Sequence, residues 1–133
     1  MAHSDIRTKR IADSVWLVEL GGEHDRSTAL ELRFELDGVF TPGGSIVVDL
    51  SGATFIDSSI LGVLLRTEVR TSRLRGEQFA VVAPTGGAAA RLFDLVDAPH
   101  TCFAIFETLD DAVESCGTHA LGTGRGVVAP TAE

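Results

Sequence analysis

Short apolar runs and longer stripes of helical spacing alternate along most of the chain. Ile6–Ile11 predicts a short strand, with a turn at Ala12-Asp13-Ser14. Val15–Leu20 predicts a second strand. Its Val15, Leu17 and Leu20 are mixed with Trp16 and Val18, so both faces are apolar and both should be covered. Beyond Gly21-Gly22 and Glu23-His24-Asp25, the residues Leu30, Phe34 and Leu36 recur near helical spacing and predict a helix from Ser27 to about Phe40. Ser27 or Thr28 ahead of Glu31 reads as its capping box, and Pro42-Gly43-Gly44 stops it. Ser45–Leu50 is a short apolar strand rich in β-branched residues. After Ser51–Asp57 a second helix is expected from Ser58 to about Leu74, with Leu61, Leu64, Leu65 and Val69 on its inward stripe and Gly76 just past its end. Gln78–Ala83 predicts a strand, broken by Pro84. Gly87–Val96 predicts a third helix, with Ala89, Leu92, Phe93 and Val96 inward and Pro99 at its end. Thr101–Phe106 is a last strand. Thr108 then caps a helix through about Cys116, with Asp110 and Asp111 in its first turn, where the helix dipole favours negative charge.

Strands separated by helices imply right-handed crossovers and a mostly parallel sheet. Only a turn separates the first two strands, so they should pair antiparallel. The expected class is α/β: a mostly parallel central sheet, one antiparallel N-terminal edge strand and four helices. Residues 1–116 read as one domain. Residues 117–133, with four Gly, one Pro and no period, read as a flexible tail.

Composition narrows the possible functions. The chain has 133 residues and a net charge of −8, an unpromising balance for binding nucleic acid or an anionic membrane. No apolar run approaches the roughly 20 residues of a membrane span, and Met1–Arg10 has no apolar core of a secretory signal; a cytoplasmic location is expected. Cys102 and Cys116 have no metal or redox spacing, and His3, His24, His100 and His119 are scattered, so neither a metal site nor a cofactor is expected. Thr85-Gly86-Gly87 lacks the Lys of a P-loop and reads as a turn and helix start.

In an open parallel sheet, chemistry sits where strands end and helices begin. Two such junctions stand out: Gly22-Glu23-His24-Asp25 and Thr54–Gly62. In the second, Asp57 stands where an N-cap would, with Ser58 as the first helical residue. On its own Asp57-Ser58-Ser59 is simply a good helix start. A hydroxyl at that first position also points out of the turn and is open to a kinase. A phosphate there would add about −1.5 to −2 charge. Ile60, Val63, Thr67 and Arg70 fall opposite the expected inward stripe, so Ile60, Val63 and Thr67 are candidates for a partner-binding face. Arg66, Arg70, Arg73 and Arg75 crowd the end of the same helix, where cations suit the dipole.

The segment VVDLSGATFIDSSILGVLLR resembles the signature of STAS domains, in particular the bacterial anti-sigma factor antagonists. GGEHDRSTA resembles the family's G-E-L-D segment, and AAARLFDLVD its R-L-F-D segment. The resemblance runs from about Ile6 to Val113. It implies the STAS fold and a non-enzymatic regulator that acts by protein contact. It implies that Ser58 is phosphorylated by an anti-sigma factor that is also an ATP-using serine kinase. Asp25, Asp57 and Ser59 then form the neighbourhood of that switch. The unphosphorylated form binds the anti-sigma factor and so governs sigma-factor-dependent transcription. A PP2C-type phosphatase restores it, and a weak homodimer is possible within the family. Where the family usually has D-S-S-G-L-G, this chain has Ile60 in place of the first glycine, a branched group expected to alter the surface the kinase approaches. Three alternatives stay open: a self-associating scaffold of a stress-sensing assembly, a nucleotide- or lipid-binding STAS module using the start of the third helix, and a receiver-like domain with Asp57 as acceptor. The last lacks the acidic pair that a receiver needs after its first strand.

Overall fold

The computed structural model describes residues 4–72, 78–96 and 103–122. Within them the elements run β1 (Ser4–Ala12), β2 (Val15–His24), α1 (Arg26–Val39), β3 (Ser45–Ile56), α2 (Ser58–Ser72), β4 (Gln78–Val82), α3 (Ala88–Leu95), β5 (Ala104–Phe106) and α4 (Leu109–Gly122). The five strands lie in the order β1-β2-β3-β4-β5. β1 pairs antiparallel with β2, and every later pair is parallel. This is the expected α/β architecture, and the four helices are those of the described residues.

Strand alternation divides the core in two. Val18, Leu20, Ile46, Val48, Leu50, Phe79 and Val81 turn to one face, where they meet α1, α2 and α3. Val15, Leu17, Val47, Ala80 and Val82 turn to the other and pack on Ala112 and Cys116 of α4. β2 and β3 are therefore covered on both faces, as their continuous apolar runs require. β1 is an edge strand, largely exposed, and its Arg7, Lys9 and Arg10 discourage pairing with a further strand. Arg66 and Arg70 of α2 both reach Asp37 Oδ1 of α1, at 3.4 and 2.6 Å. The Arg70 guanidinium also lies 3.9 Å from the centre of the Phe40 ring. These two arginines thus tie α2 to α1; Arg73 and Arg75 fall outside the described residues.

Several expectations change. The helical phase of α1 is set by Asp25, which caps it in a capping box with Thr28, not by Ser27 or Thr28 as caps. Leu32, Leu36 and Val39 are buried as a result, while Leu30 and Phe34 are 73% and 74% exposed. In α2 the buried stripe runs through Ile60, Leu61, Val63, Leu64, Thr67 and Thr71. Val69, expected inward, is half exposed. Ile60, Val63 and Thr67 were candidates for an outer, partner-binding face; all three are buried. Two threonines disguised this stripe. Each bonds its hydroxyl back to its own helix, Thr67 to Val63 O at 3.0 Å and Thr71 to Glu68 O at 3.1 Å, which leaves a methyl group for the core. Val96, also expected inward, is exposed at the end of α3. β3 runs six residues past Leu50, to Ile56. α4 continues past Cys116 to Gly122, because a single interior glycine costs a helix only about 1 kcal/mol and no proline interrupts it. The tail expected from residue 117 therefore has its first six residues in α4, and residues 123–133 lie outside the described ones. Cys102, His3, His100, Gly76, Pro99 and the start of the expected strand at Thr101 also lie outside them.

Candidate functional site

The parallel pairing of β2 with β3 brings the two junctions together. His24 is opposite Ile56 in the ladder. One residue further on in each chain comes an aspartate, Asp25 or Asp57, and then a helix begins. The two starts are built alike. Asp25 Oδ1 accepts the Ser27 N–H at 2.9 Å and the Ser27 hydroxyl. Asp57 Oδ1 accepts the Ser59 N–H at 2.9 Å and the Ser59 hydroxyl. Each aspartate carbonyl also takes two helical N–H groups: Thr28 and Ala29 on Asp25, Ile60 and Leu61 on Asp57. The first helical residues, Arg26 and Ser58, are both exposed.

Asp25, Arg26, Ser27, Asp57, Ser58 and Ser59 together line an open cleft of about 570 Å³. The switch neighbourhood expected from the sequence (Asp25, Asp57, Ser58, Ser59) is thus one place in space. Its three serine hydroxyls are not equivalent. Those of Ser27 and Ser59 are donated to the capping carboxylates, and the Ser58 hydroxyl makes no hydrogen bond among the described residues. Ser58 is the free hydroxyl of the cleft. The bond from Ser27 Oγ, then that from its N–H, hold the Asp25 carboxyl below the usual carboxylate range.

Beneath the cleft lies a residue that sequence reasoning passed over. His24 is fully buried, with Nε2 2.9 Å from Gly21 O and Nδ1 3.1 Å from Thr28 Oγ1. Thr28 Oγ1 also accepts the Asp25 N–H at 3.2 Å. The imidazole therefore props the α1 cap from inside. A signal was available: in GGEHD the histidine takes the place of an apolar leucine in the G-E-L-D pattern, and such a place faces inward. Ile60 likewise points into the core, at 0% exposure, and leaves the surface around Ser58 unchanged.

The start of α3 is a third junction of strand and helix, and it is occupied from within. Pro84–Gly87 forms a turn closed by Gly87 N–H to Pro84 O at 3.0 Å, with Gly86 at φ +88°. The Glu107 carboxylate receives the Thr85 N–H and hydroxyl, both at 2.7 Å, which lowers its pKa. Among the described residues no group of His, Cys, Asp and Glu could hold a metal ion. No described helix is long and apolar enough to cross a membrane.

The family model described as "Mlab, STAS domain" matches residues 8–102. No curated protein matches the chain. Among solved structures, it is similar to an anti-sigma factor antagonist from Mycobacterium paratuberculosis, with 31% identity and a TM-score of 0.75 over 86% of this chain and 95% of that one. It shares its fold with the phosphorylated form of the Bacillus cell fate determinant SpoIIAA, at 16% identity and TM-score 0.61, covering 84% of this chain and 98% of that one. It also shares it with a sulfate transporter family protein from Wolinella succinogenes, at 16% identity and TM-score 0.67, covering 84% and 91%.

Proposed function

The chain belongs to the STAS domain family, and on that premise we propose that it is an anti-sigma factor antagonist switched at Ser58. It is a binding protein and not an enzyme. Unmodified, it docks on an anti-sigma factor that is also a serine kinase, and frees the sigma factor for transcription. The kinase passes the γ-phosphoryl group of ATP to Ser58 Oγ. A phosphate ester bond forms as the bond to ADP breaks, and the hydroxyl proton leaves to a base of the kinase. The product carries a dianion beside Asp57 and Asp25. Like charges brought together at an interface cost several kcal/mol, so the complex separates. A PP2C-type phosphatase resets the switch.

The observation that carries this reading is the free, exposed hydroxyl of Ser58, flanked by two hydroxyls already committed to carboxylates. It favours Ser58 over Ser59 as acceptor. The buried Ile60 leaves a kinase's approach open. The reading of the domain as a nucleotide- or lipid-binding module has less support, since Glu107 already places an anion on the turn before α3.

Two experiments test the switch. Mass spectrometry after incubation with the cognate kinase and ATP is expected to find phosphate on Ser58; phosphate on Ser59 or Thr54, or none, counts against it. Calorimetry against the same partner is expected to show tight binding by Ser58→Ala and binding weaker by about 2 kcal/mol or more for Ser58→Asp. Equal affinities for the two variants would sink the proposal.

A further inference from the structure

We infer that Arg26 is the counter-charge of a phosphate on Ser58, so that the modified state is clamped between the starts of α1 and α2. This rests on Ser58 as the acceptor. Arg26 and Ser58 hold the same place in two neighbouring strand-to-helix units, each two residues past a directly paired ladder position, His24 and Ile56. Neighbouring strands lie about 4.8 Å apart, so the two helix starts are within the reach of an arginine side chain. Both residues are exposed, and both line the same cleft.

Arg26 is also uncommitted. Arg7 pairs with Asp5, Arg10 with Asp13, and Arg66 and Arg70 with Asp37, while Arg91 donates to Gly86 O. The Arg26 side chain, like that of Arg33 further along α1, makes no ion pair or hydrogen bond among the described residues, although two carboxylates share the Arg26 cleft. Those carboxylates are turned to their own helices, each holding a serine N–H and hydroxyl. Among the described residues that line the cleft, Arg26 is the only cation. A phosphate on Ser58 would meet Asp25 and Asp57 as like charges, and would be offset by the positive end of α2 and by the Arg26 side chain. A guanidinium presents paired N–H donors that match two phosphate oxygens, a geometry a lysine cannot reproduce.

The test uses the full chain with phosphoserine installed at position 58 during translation, so that it does not depend on any kinase. Phosphorus NMR then follows the second ionisation of the phosphate in the parent chain and in Arg26→Ala, Arg26→Lys and Arg33→Ala. Arg33 is exposed and two turns further along α1, outside the cleft. The phosphate pKa is expected to rise by about half a unit in Arg26→Ala, since losing a nearby cation disfavours the dianion. Arg26→Lys should fall between, and Arg33→Ala should leave the value in place. A phosphate pKa that does not move in Arg26→Ala, or that moves as far in Arg33→Ala, overturns the assignment. Failure of the cognate kinase to modify Ser58 would count against the switch itself and would leave this titration just as readable.

Discussion

At the scale of the residue, the sequence Asp-x-Ser occurs three times with the same hydrogen bonding and different consequences. In Asp49-Leu50-Ser51, as in the two helix caps, one carboxylate oxygen accepts the N–H and hydroxyl of the serine. Its middle residue, Leu50, is buried within β3. In the two caps the middle residues are Arg26 and Ser58, and both are exposed at one cleft. The motif is therefore a local fold of the chain, and its surroundings decide whether the middle residue can act. Ile60 makes the same point from the inside. Ile60→Ala is expected to cost about 2–5 kcal/mol, as for other fully buried aliphatic residues, and the loss should be plain in a denaturant titration. A cost below about 1 kcal/mol would mean that Ile60 is not the core residue described, and would reopen its place on the kinase-facing surface.

At the scale of the element, α1 shows why helical spacing alone does not fix the buried stripe: of Leu30, Phe34 and Leu36, which suggested the helix, only Leu36 is buried. Leu30, Leu32, Phe34, Leu36 and Val39 offer two candidate faces, and a sequence cannot rank them when both are apolar. The cap at Asp25 and the packing on β2 decide the phase, placing Leu32, Leu36 and Val39 inward. Leu32→Ala is accordingly expected to cost about 2–5 kcal/mol, and Phe34→Ser about 0.5 kcal/mol or less, in the same unfolding measurement. The reverse order would restore the hydropathy reading. The turn before β3 is a simpler element, and here the sequence was enough. Pro42-Gly43 builds a turn with Gly44 N–H to Thr41 O at 2.9 Å and Gly43 at φ +82°. Proline suits its second position, and only glycine enters its third without strain.

At the scale of the whole molecule, three carboxylates give the stability a definite response to pH. Asp25 and Glu107 have lowered pKa values in the fold, through hydrogen bonds from Ser27 and Thr85. Their stabilisation is complete above the ordinary carboxylate range and is lost as pH falls through the lowered values. Glu68 has the opposite sign, because burial raises its pKa and its charge is disfavoured in the fold. Acidification from neutral pH should therefore first relieve Glu68 and then release Asp25 and Glu107. In melting temperatures measured against pH, Glu107→Gln should blunt the acid-side fall and Glu68→Gln should flatten the slope above it. An unchanged profile in both variants would contradict this account. The chain cut after Gly122 should melt within a few degrees of the full chain, as about 1 kcal/mol corresponds to roughly 2–8 °C in a domain of this size. By itself the sequence determined the alternation of strands and helices, the class of the sheet, the turns and the Asp57-Ser58 helix start. These depend on near neighbours: period, propensity and capping act within a few residues. Only the tertiary structure decided which stripe of α1 and α2 is buried, that His24 braces the α1 cap from beneath, and that Arg26 shares a cleft with Ser58. Those facts depend on two parallel strands set side by side, with residues more than thirty positions apart brought to the same edge.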